Sequence, residues 1–128
     1  MRAVYKIFGE MEDMISTPKN AVEDSKVYTD KSSSDLKFAD RPEGSKLMLE
    51  IENGSVTEVY VYSIERFGKN AADILSVINR ITSHGCNVNA EKEGLQMLID
   101  DKENPIAKMV IGILSTLSEK IFKEWKNY

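Results

Sequence analysis

The stretch that decides the fold runs from Val59 to Asn70 and reads VYVYSIERFGKN. Its first six residues are β-prone and almost all apolar or aromatic, so they predict a buried strand. Glu65, Arg66 and Lys69 follow directly, and Ala71–Ile81 then has the spacing of an amphipathic helix. A strand that ends at charges and turns into a helix places them at the carboxyl edge of a parallel sheet, where α/β folds bind ligands. The stretch therefore predicts an anion site built on Arg66 and Lys69.

Outside this stretch the chain alternates between strand-like and helix-like segments. Short β-prone runs predict three further strands, at Ala3–Phe8, Lys26–Thr29 and Cys86–Ala90. Only a weak helix is predicted between Glu10 and Lys26, because Pro18 interrupts it, and the acidic connection Glu91–Glu103 has room for an edge strand. This alternation predicts an α/β domain with a parallel sheet.

Two further helices have clear start signals. Asp40 is predicted to cap a helix that starts at Pro42 and ends near Glu52 at an Asn-Gly pair, with its apolar face formed by Leu47, Met48 and Ile51. Asn104 and Pro105 start the last helix, whose apolar residues recur every three or four positions: Ile106, Met109, Val110, Ile113, Leu114, Leu117, Ile121 and Trp125. This stripe is longer than a small sheet can cover, so a homodimer through Ile106–Trp125 is expected.

Composition sets broad limits on function. The 128 residues fit one domain, and the net charge of −4 argues against an autonomous nucleic-acid-binding domain, which is usually basic. Cys86 is the only cysteine and His84 the only histidine, so neither a disulfide nor a metal site is expected, and a reducing cytoplasm fits best. No apolar run approaches the length of a membrane span, and no motif for a cofactor is present.

Four segments in order resemble the catalytic domain of the serine recombinases, the resolvase/invertase family. Glu65 to Asn70 resembles the D-R-L-G-R-[DNS] signature, and KMVIGILS at 108–115 resembles the K-M-V-x-x-I-L-S start of the long dimerising helix. Tyr5 stands where the family has its Y-x-R-V-S motif. The fourth segment, 27–42, resembles the second strand, the mobile loop and the start of the helix that carries an arginine. The resemblance implies a resolvase-like three-layer α/β fold, with a mostly parallel four- to five-stranded sheet and a dimerisation helix at about 104–127.

The resemblance also implies a chemistry. In the family a serine hydroxyl attacks a DNA phosphodiester, and arginines stabilise the charge that develops on the phosphoryl oxygens. Arg41 and Arg66 match two of these arginines. Lys69 replaces a third, which keeps the charge but loses the planar fork, and Glu65 replaces an aspartate.

The same alignment departs from the family at the nucleophile. Counting from Tyr5 puts Ile7 at the first arginine and Gly9 at the serine, so covalent catalysis is not expected there. Ser16, in Ile-Ser-Thr, is a less favoured substitute. Only about a dozen residues separate it from Tyr28, too few for a full helix and its connections.

The sequence allows several hypotheses for function. The first is a recombinase catalytic domain impaired at Gly9, with weak contact to DNA. The second is a non-catalytic regulator that pairs with a full-length recombinase through its last helix. An active recombinase with another nucleophile, or an unrelated flavodoxin-like ligand-binding protein, is less favoured. The family continues into a DNA-binding domain, and none is expected within residues 1–128.

Overall fold

The computed structural model describes residues 1–10, 24–31 and 36–113. Its main sheet has five strands: β1 (Arg2–Phe8), β2 (Lys26–Lys31), β3 (Glu58–Val61), β4 (Asn87–Ala90) and β5 (Leu95–Gln96). Their order is β2-β1-β3-β4-β5; the first four are parallel and β5 is antiparallel to β4. The predicted α/β class with a mostly parallel sheet is confirmed, and the predicted edge strand is β5.

The described helices follow the sheet strands in the predicted order. Helix α1 is Pro42–Glu52, α2 is Ala71–Ser83, and α3 occupies residues 105–113. Short 3₁₀ helices lie at Phe38–Asp40 and Ile64–Phe67, and a small antiparallel hairpin pairs β6 (Leu98–Ile99) with β7 (Lys102–Glu103). Within the three described segments, no helix is both long and apolar enough to cross a membrane. The weak helix predicted between Glu10 and Lys26 lies outside these segments.

The core forms where α1 and α2 cover one face of the sheet. Alternate residues of each strand point to this face. They meet the predicted apolar residues of the two helices in one cluster that includes Tyr5, Val59, Val88, Leu47, Ile51, Ile74 and Ile78. Cys86 is fully buried in this cluster and lies just before β4, whereas the predicted strand began at Cys86 itself. The core thus holds the carboxyl ends of β1, β2 and β3 next to the start of α1.

Two local predictions were wrong. The third strand ends at Val61 rather than continuing to Ile64, because the chain turns into the 3₁₀ helix Ile64–Phe67 after Ser63. Asp40 is not the N-cap of α1: Arg41 occupies that position and makes no side-chain capping bond. The carboxylate that satisfies this helix end belongs to Asp30 on β2, which accepts hydrogen bonds from the first turn of α1.

Helix α3 begins as predicted and has two different apolar faces. The side chain of Asn104 accepts a hydrogen bond from the backbone N–H of Ile106 at 3.1 Å, as an N-cap does. Ala107 and Ile111, one turn apart, are buried against the domain, whereas a second set is exposed: Ile106, Met109 and Ile113. The remainder of the predicted 104–127 helix lies beyond the described residues.

Candidate functional site

Arg41 connects the segment at Leu36 with the turn that carries Arg66, at the carboxyl edge of the sheet. The side chain is only 5% exposed. Its Nη1 donates to the backbone carbonyl of Arg66 at 2.6 Å and to the hydroxyl of Tyr5 at 3.2 Å, and its Nε donates to the carbonyl of Leu36 at 3.2 Å. Arg41 therefore contacts Arg66, the other arginine that the sequence predicted for the site. The Nη2 atom of Arg41 takes part in none of these three hydrogen bonds.

A buried carboxylate, missed in the sequence, organises the same place. Asp30 at the end of β2 accepts the hydroxyl proton of Tyr5 at 2.8 Å and the backbone N–H groups of Glu43 and Gly44, each at 2.8 Å. Its signal was its position two residues after Tyr28, which puts both side chains on the buried face of the strand. The positive end of α1 is thus occupied by the protein's own carboxylate, so it is not open to an external anion.

A second carboxylate holds the turn that carries Arg66. Glu93, after β4, accepts a hydrogen bond from the hydroxyl of Ser63 at 2.8 Å and one from the backbone N–H of Ile64 at 3.1 Å. The same serine oxygen accepts from the N–H of Glu65 at 3.2 Å. Ser63 is fully buried, and the turn is fixed from both sides.

Aromatic rings support both arginines. The guanidinium carbon of Arg66 lies 5.5 Å from the centre of the Tyr62 ring, and that of Arg41 lies 6.0 Å from the ring of Phe38, within the range of cation–π contacts. Arg66 is 6% exposed, so its guanidinium is largely enclosed by the domain. Each of the two guanidinium groups is therefore held against an aromatic ring.

Glu65 and Lys69 lie at the rim rather than in the centre. Both residues are exposed. The Nζ of Lys92 approaches the Glu65 carboxylate to 3.9 Å, which ties Glu65 to the loop after β4. The structure therefore brings Arg41 and Arg66 together with Tyr5 and Asp30, and it places Glu65 at the outer edge of the same turn.

The predicted nucleophile position lies directly after β1. Gly9 is exposed and has φ of 109°, a left-handed conformation that side-chain-bearing residues rarely adopt. Ile7, at the predicted first arginine, is packed in the apolar core on the same face as Tyr5. Ser16 lies outside the described residues. In the segments that the structure describes, no three His, Cys, Asp or Glu side chains converge as a metal site would require.

Burial changes the ionisation of two core side chains. The pKa of Tyr5 is raised far above its ordinary value of 10.0, mainly by desolvation; the hydrogen bond from Arg41 opposes the shift, and Asp30 adds to it. Burial, with a smaller effect of the Glu58 charge, raises the pKa of the Cys86 thiol from 9.0 to about 12. Both groups therefore stay neutral in the folded protein at physiological pH.

These shifts predict alkaline destabilisation. Above pH 9 the unfolded chain releases the Cys86 proton while the folded chain keeps it, so the free energy of unfolding falls by about 1.4 kcal/mol per pH unit. Below pH 9 this contribution is fully present; above pH 10 Tyr5 adds to the fall. Urea titrations between pH 8 and 10 measure how the free energy of unfolding depends on pH in the wild type and in Cys86→Ala. If this dependence has the same slope in both proteins, the Cys86 thiol is not its source.

The fold and this edge define a resolvase-type α/β domain, and the sequence comparison agrees. Residues 11–123 match the family described as "Resolvase, N terminal domain". The chain therefore belongs to this family of serine recombinases. The matched region begins after β1, so it includes Arg41, Arg66 and the start of α3 but not the strand that precedes Gly9.

Individual relatives agree with this family. The chain is 28% identical over 95 residues to the Transposon Tn501 resolvase of Pseudomonas aeruginosa and to the Transposons Tn1721 resolvase of Escherichia coli. Each alignment covers 74% of this chain and 48% of the relative, so the alignment spans about half of the relative's length.

Two solved structures share the fold. The N-terminal catalytic domain of TP901-1 integrase superposes with a TM-score of 0.63 at 19% identity, covering 99% of this chain and 98% of that one. A resolvase family site-specific recombinase from Streptococcus pneumoniae gives a TM-score of 0.52 at 21% identity, over 79% and 66% of the two chains.

Proposed function

We propose that this chain is the N-terminal domain of a site-specific DNA recombination protein, which pairs with like domains but does not itself cleave DNA. The conformation of Gly9 carries this proposal. At the position where the resemblance places a serine nucleophile, the residue has no side chain, and its φ of 109° disfavours any residue that would supply one.

The surroundings of Gly9 support the same proposal. A serine attack on phosphate needs positively charged donors beside the attacking oxygen. Ile7, which stands at the first arginine position, instead belongs to the apolar core. Arg41 donates three of its hydrogen bonds to groups of the domain itself, so much of its donor capacity stabilises the fold.

A weak contact with the DNA backbone is compatible with this loss of chemistry. The buried Arg66 and the exposed Lys69 place positive charge at the sheet edge, and Nη2 of Arg41 lies outside its three internal bonds. Glu65 lies at the outside of the same turn, near Lys92, where its charge opposes phosphate. We therefore assign Arg66 and Lys69 to phosphate contact and Glu65 to the structure of the turn.

Pairing is proposed to occur through α3 and its continuation to about residue 127. The exposed residues Ile106, Met109 and Ile113 form an apolar face on a helix that already buries Ala107 and Ile111 within the domain. Such a face is typical of a contact with another helix. The partner is a second copy or an active full-length recombinase, in the cytoplasm where the DNA is.

The absence of cleavage is directly testable. Incubating the domain with supercoiled plasmid and stopping the reaction with detergent should give no protein–DNA adduct above the protein-free background, while an active resolvase on its own site does. The reason is the missing hydroxyl at Gly9. An adduct formed by the wild type would overturn the inactive assignment, and loss of that adduct in Ser16→Ala would then identify the nucleophile.

If the domain pairs through α3, a charge introduced on the exposed face of this helix should weaken self-association. Met109→Glu should weaken self-association at least about thirtyfold, because a carboxylate would be buried against an apolar partner. Sedimentation equilibrium measures this change. Leu49→Glu, at an equally exposed apolar residue on α1, is the matched control and should leave the mass unchanged. If Met109→Glu has the same mass as the wild type, α3 is not the interface. Pairing with an active recombinase is tested separately, by co-purification of that recombinase with the wild type, Met109→Glu and Leu49→Glu.

A further inference from the structure

An exposed aromatic side chain ends β1 on the face of the sheet opposite to Tyr5 and Ile7. Phe8 is 61% exposed, although it is the last residue of an internal strand. In the parallel ladder its partner is Lys31, the last residue of β2. Paired residues of neighbouring strands project from the same face about 5 Å apart, so the side chains of Phe8 and Lys31 leave the sheet side by side.

The preceding pair of this ladder continues the pattern. Lys6 is half-buried and pairs with the exposed Thr29, again on the face of Phe8. Phe8, Lys6, Thr29 and Lys31 together are called the aromatic–lysine strip. Asp30 lies between two of its members in sequence but points to the other face, where its carboxylate accepts hydrogen bonds from the core and from α1.

The strip has the chemistry of a surface for single-stranded nucleic acid. Proteins that bind single strands stack bases on exposed aromatic rings and neutralise phosphates with flanking cations, often on an open sheet face. An exposed aromatic ring next to two lysines on the same face suits a base attached to an anionic backbone better than it suits a second copy of the same strip, whose lysines would repel it.

We propose that the aromatic–lysine strip binds single-stranded DNA, with an unpaired base stacked on Phe8 and the adjacent phosphates at Lys6 and Lys31. This proposal rests on the proposed function in taking DNA as the partner. It concerns a different face from the Arg41–Arg66 edge and needs neither cleavage nor pairing through α3.

The test is fluorescence anisotropy of a labelled oligothymidine and of a duplex of equal length, at low salt. Phe8→Ala should weaken oligothymidine binding about tenfold, the order expected for loss of one base–aromatic stack, and Phe8→Trp should retain it. Lys31→Gln should reduce the slope of log affinity against log salt by about 0.7, the value for one phosphate contact on a single strand. Leu49→Ala, equally exposed but on α1, is the control and should bind like the wild type.

Each other result overturns the proposal. Absence of oligothymidine binding by the wild type excludes the site, and an unchanged affinity of Phe8→Ala excludes stacking. If Phe8→Ala weakens binding of the duplex by the same factor, the strip contacts only the nucleic-acid backbone and no base stacks on Phe8. If Phe8→Ala instead abolishes a concentration-dependent rise in mass, the strip is an interface between copies. The proposed function fails by different readouts, the covalent adduct and the mass of Met109→Glu, so the two failures are distinguishable.

Discussion

Asp30→Ala is expected to lower the free energy of unfolding by about 4 kcal/mol, the largest effect of the substitutions considered. The carboxylate accepts three hydrogen bonds, from the hydroxyl of Tyr5 and from the N–H groups of Glu43 and Gly44. Removing it leaves these buried or partly buried donors without an acceptor, at about 1–3 kcal/mol for each fully buried group. Urea unfolding followed by circular dichroism measures the loss.

Asp40→Ala is the matched control for this prediction. Asp40 is the residue that local sequence rules favour as the N-cap of α1, but it is exposed and the cap position belongs to Arg41. Its replacement should change stability by no more than about 0.5 kcal/mol, as is usual for a surface site. If Asp40→Ala were as destabilising as Asp30→Ala, the assignment of the capping carboxylate would be wrong. Tyr5→Phe, which deletes only one of the three bonds to Asp30, should fall between the two.

Gly44→Ala is expected to destabilise the domain by about 2–3 kcal/mol, contrary to the usual effect of this change in a helix. A Cβ at position 44 would lie 2.2 Å from the carbonyl oxygen of Phe38, a backbone atom that cannot rotate away. The N–H of Gly44 also donates to Asp30, so α1 cannot shift outward without losing that bond. Overpacking of this kind costs more than the helix propensity of alanine returns. Thermal and urea unfolding both report it.

Gly112→Ala provides the opposite expectation with the same chemical change. This glycine lies in α3, and an added Cβ would meet no atom within 4 Å. The substitution should therefore stabilise the domain by about 0.5–1 kcal/mol through helix propensity. If both substitutions changed stability in the same direction, the close approach of α1 to Phe38 would not be the cause.

The residues around Arg41 form a framework that stabilises the fold by itself. Tyr5, Asp30 and Arg41 form a hydrogen-bonded group that links β1, β2 and α1. Removing any member disturbs a buried polar network, whether or not a phosphate ever binds there. The contribution of Arg41 to stability therefore does not depend on DNA cleavage.

The sequence by itself determined the elements whose signals are local. Asn104 and Pro105 start α3, the spacing of Ile74 and Ile78 indicates α2, and the change from apolar to charged residues after Ile64 places Arg66 at the sheet edge. These signals act between residues four or fewer positions apart, through capping, periodicity and backbone preference. The family resemblance rests on the same short segments, which is why the family and the fold class were predicted correctly.

Only the tertiary structure decided which polar groups form hydrogen bonds with one another. The carboxylate at the start of α1 belongs to Asp30, 14 residues before its partner Gly44, and the one that holds the Arg66 turn belongs to Glu93, 30 residues after Ser63. Such partners are set by the parallel pairing of β1 with β2 and of β3 with β4, which brings distant strand ends to one edge. No local pattern records that pairing. For the same reason the sequence named Arg41 and Arg66 separately, and only the fold placed them in contact.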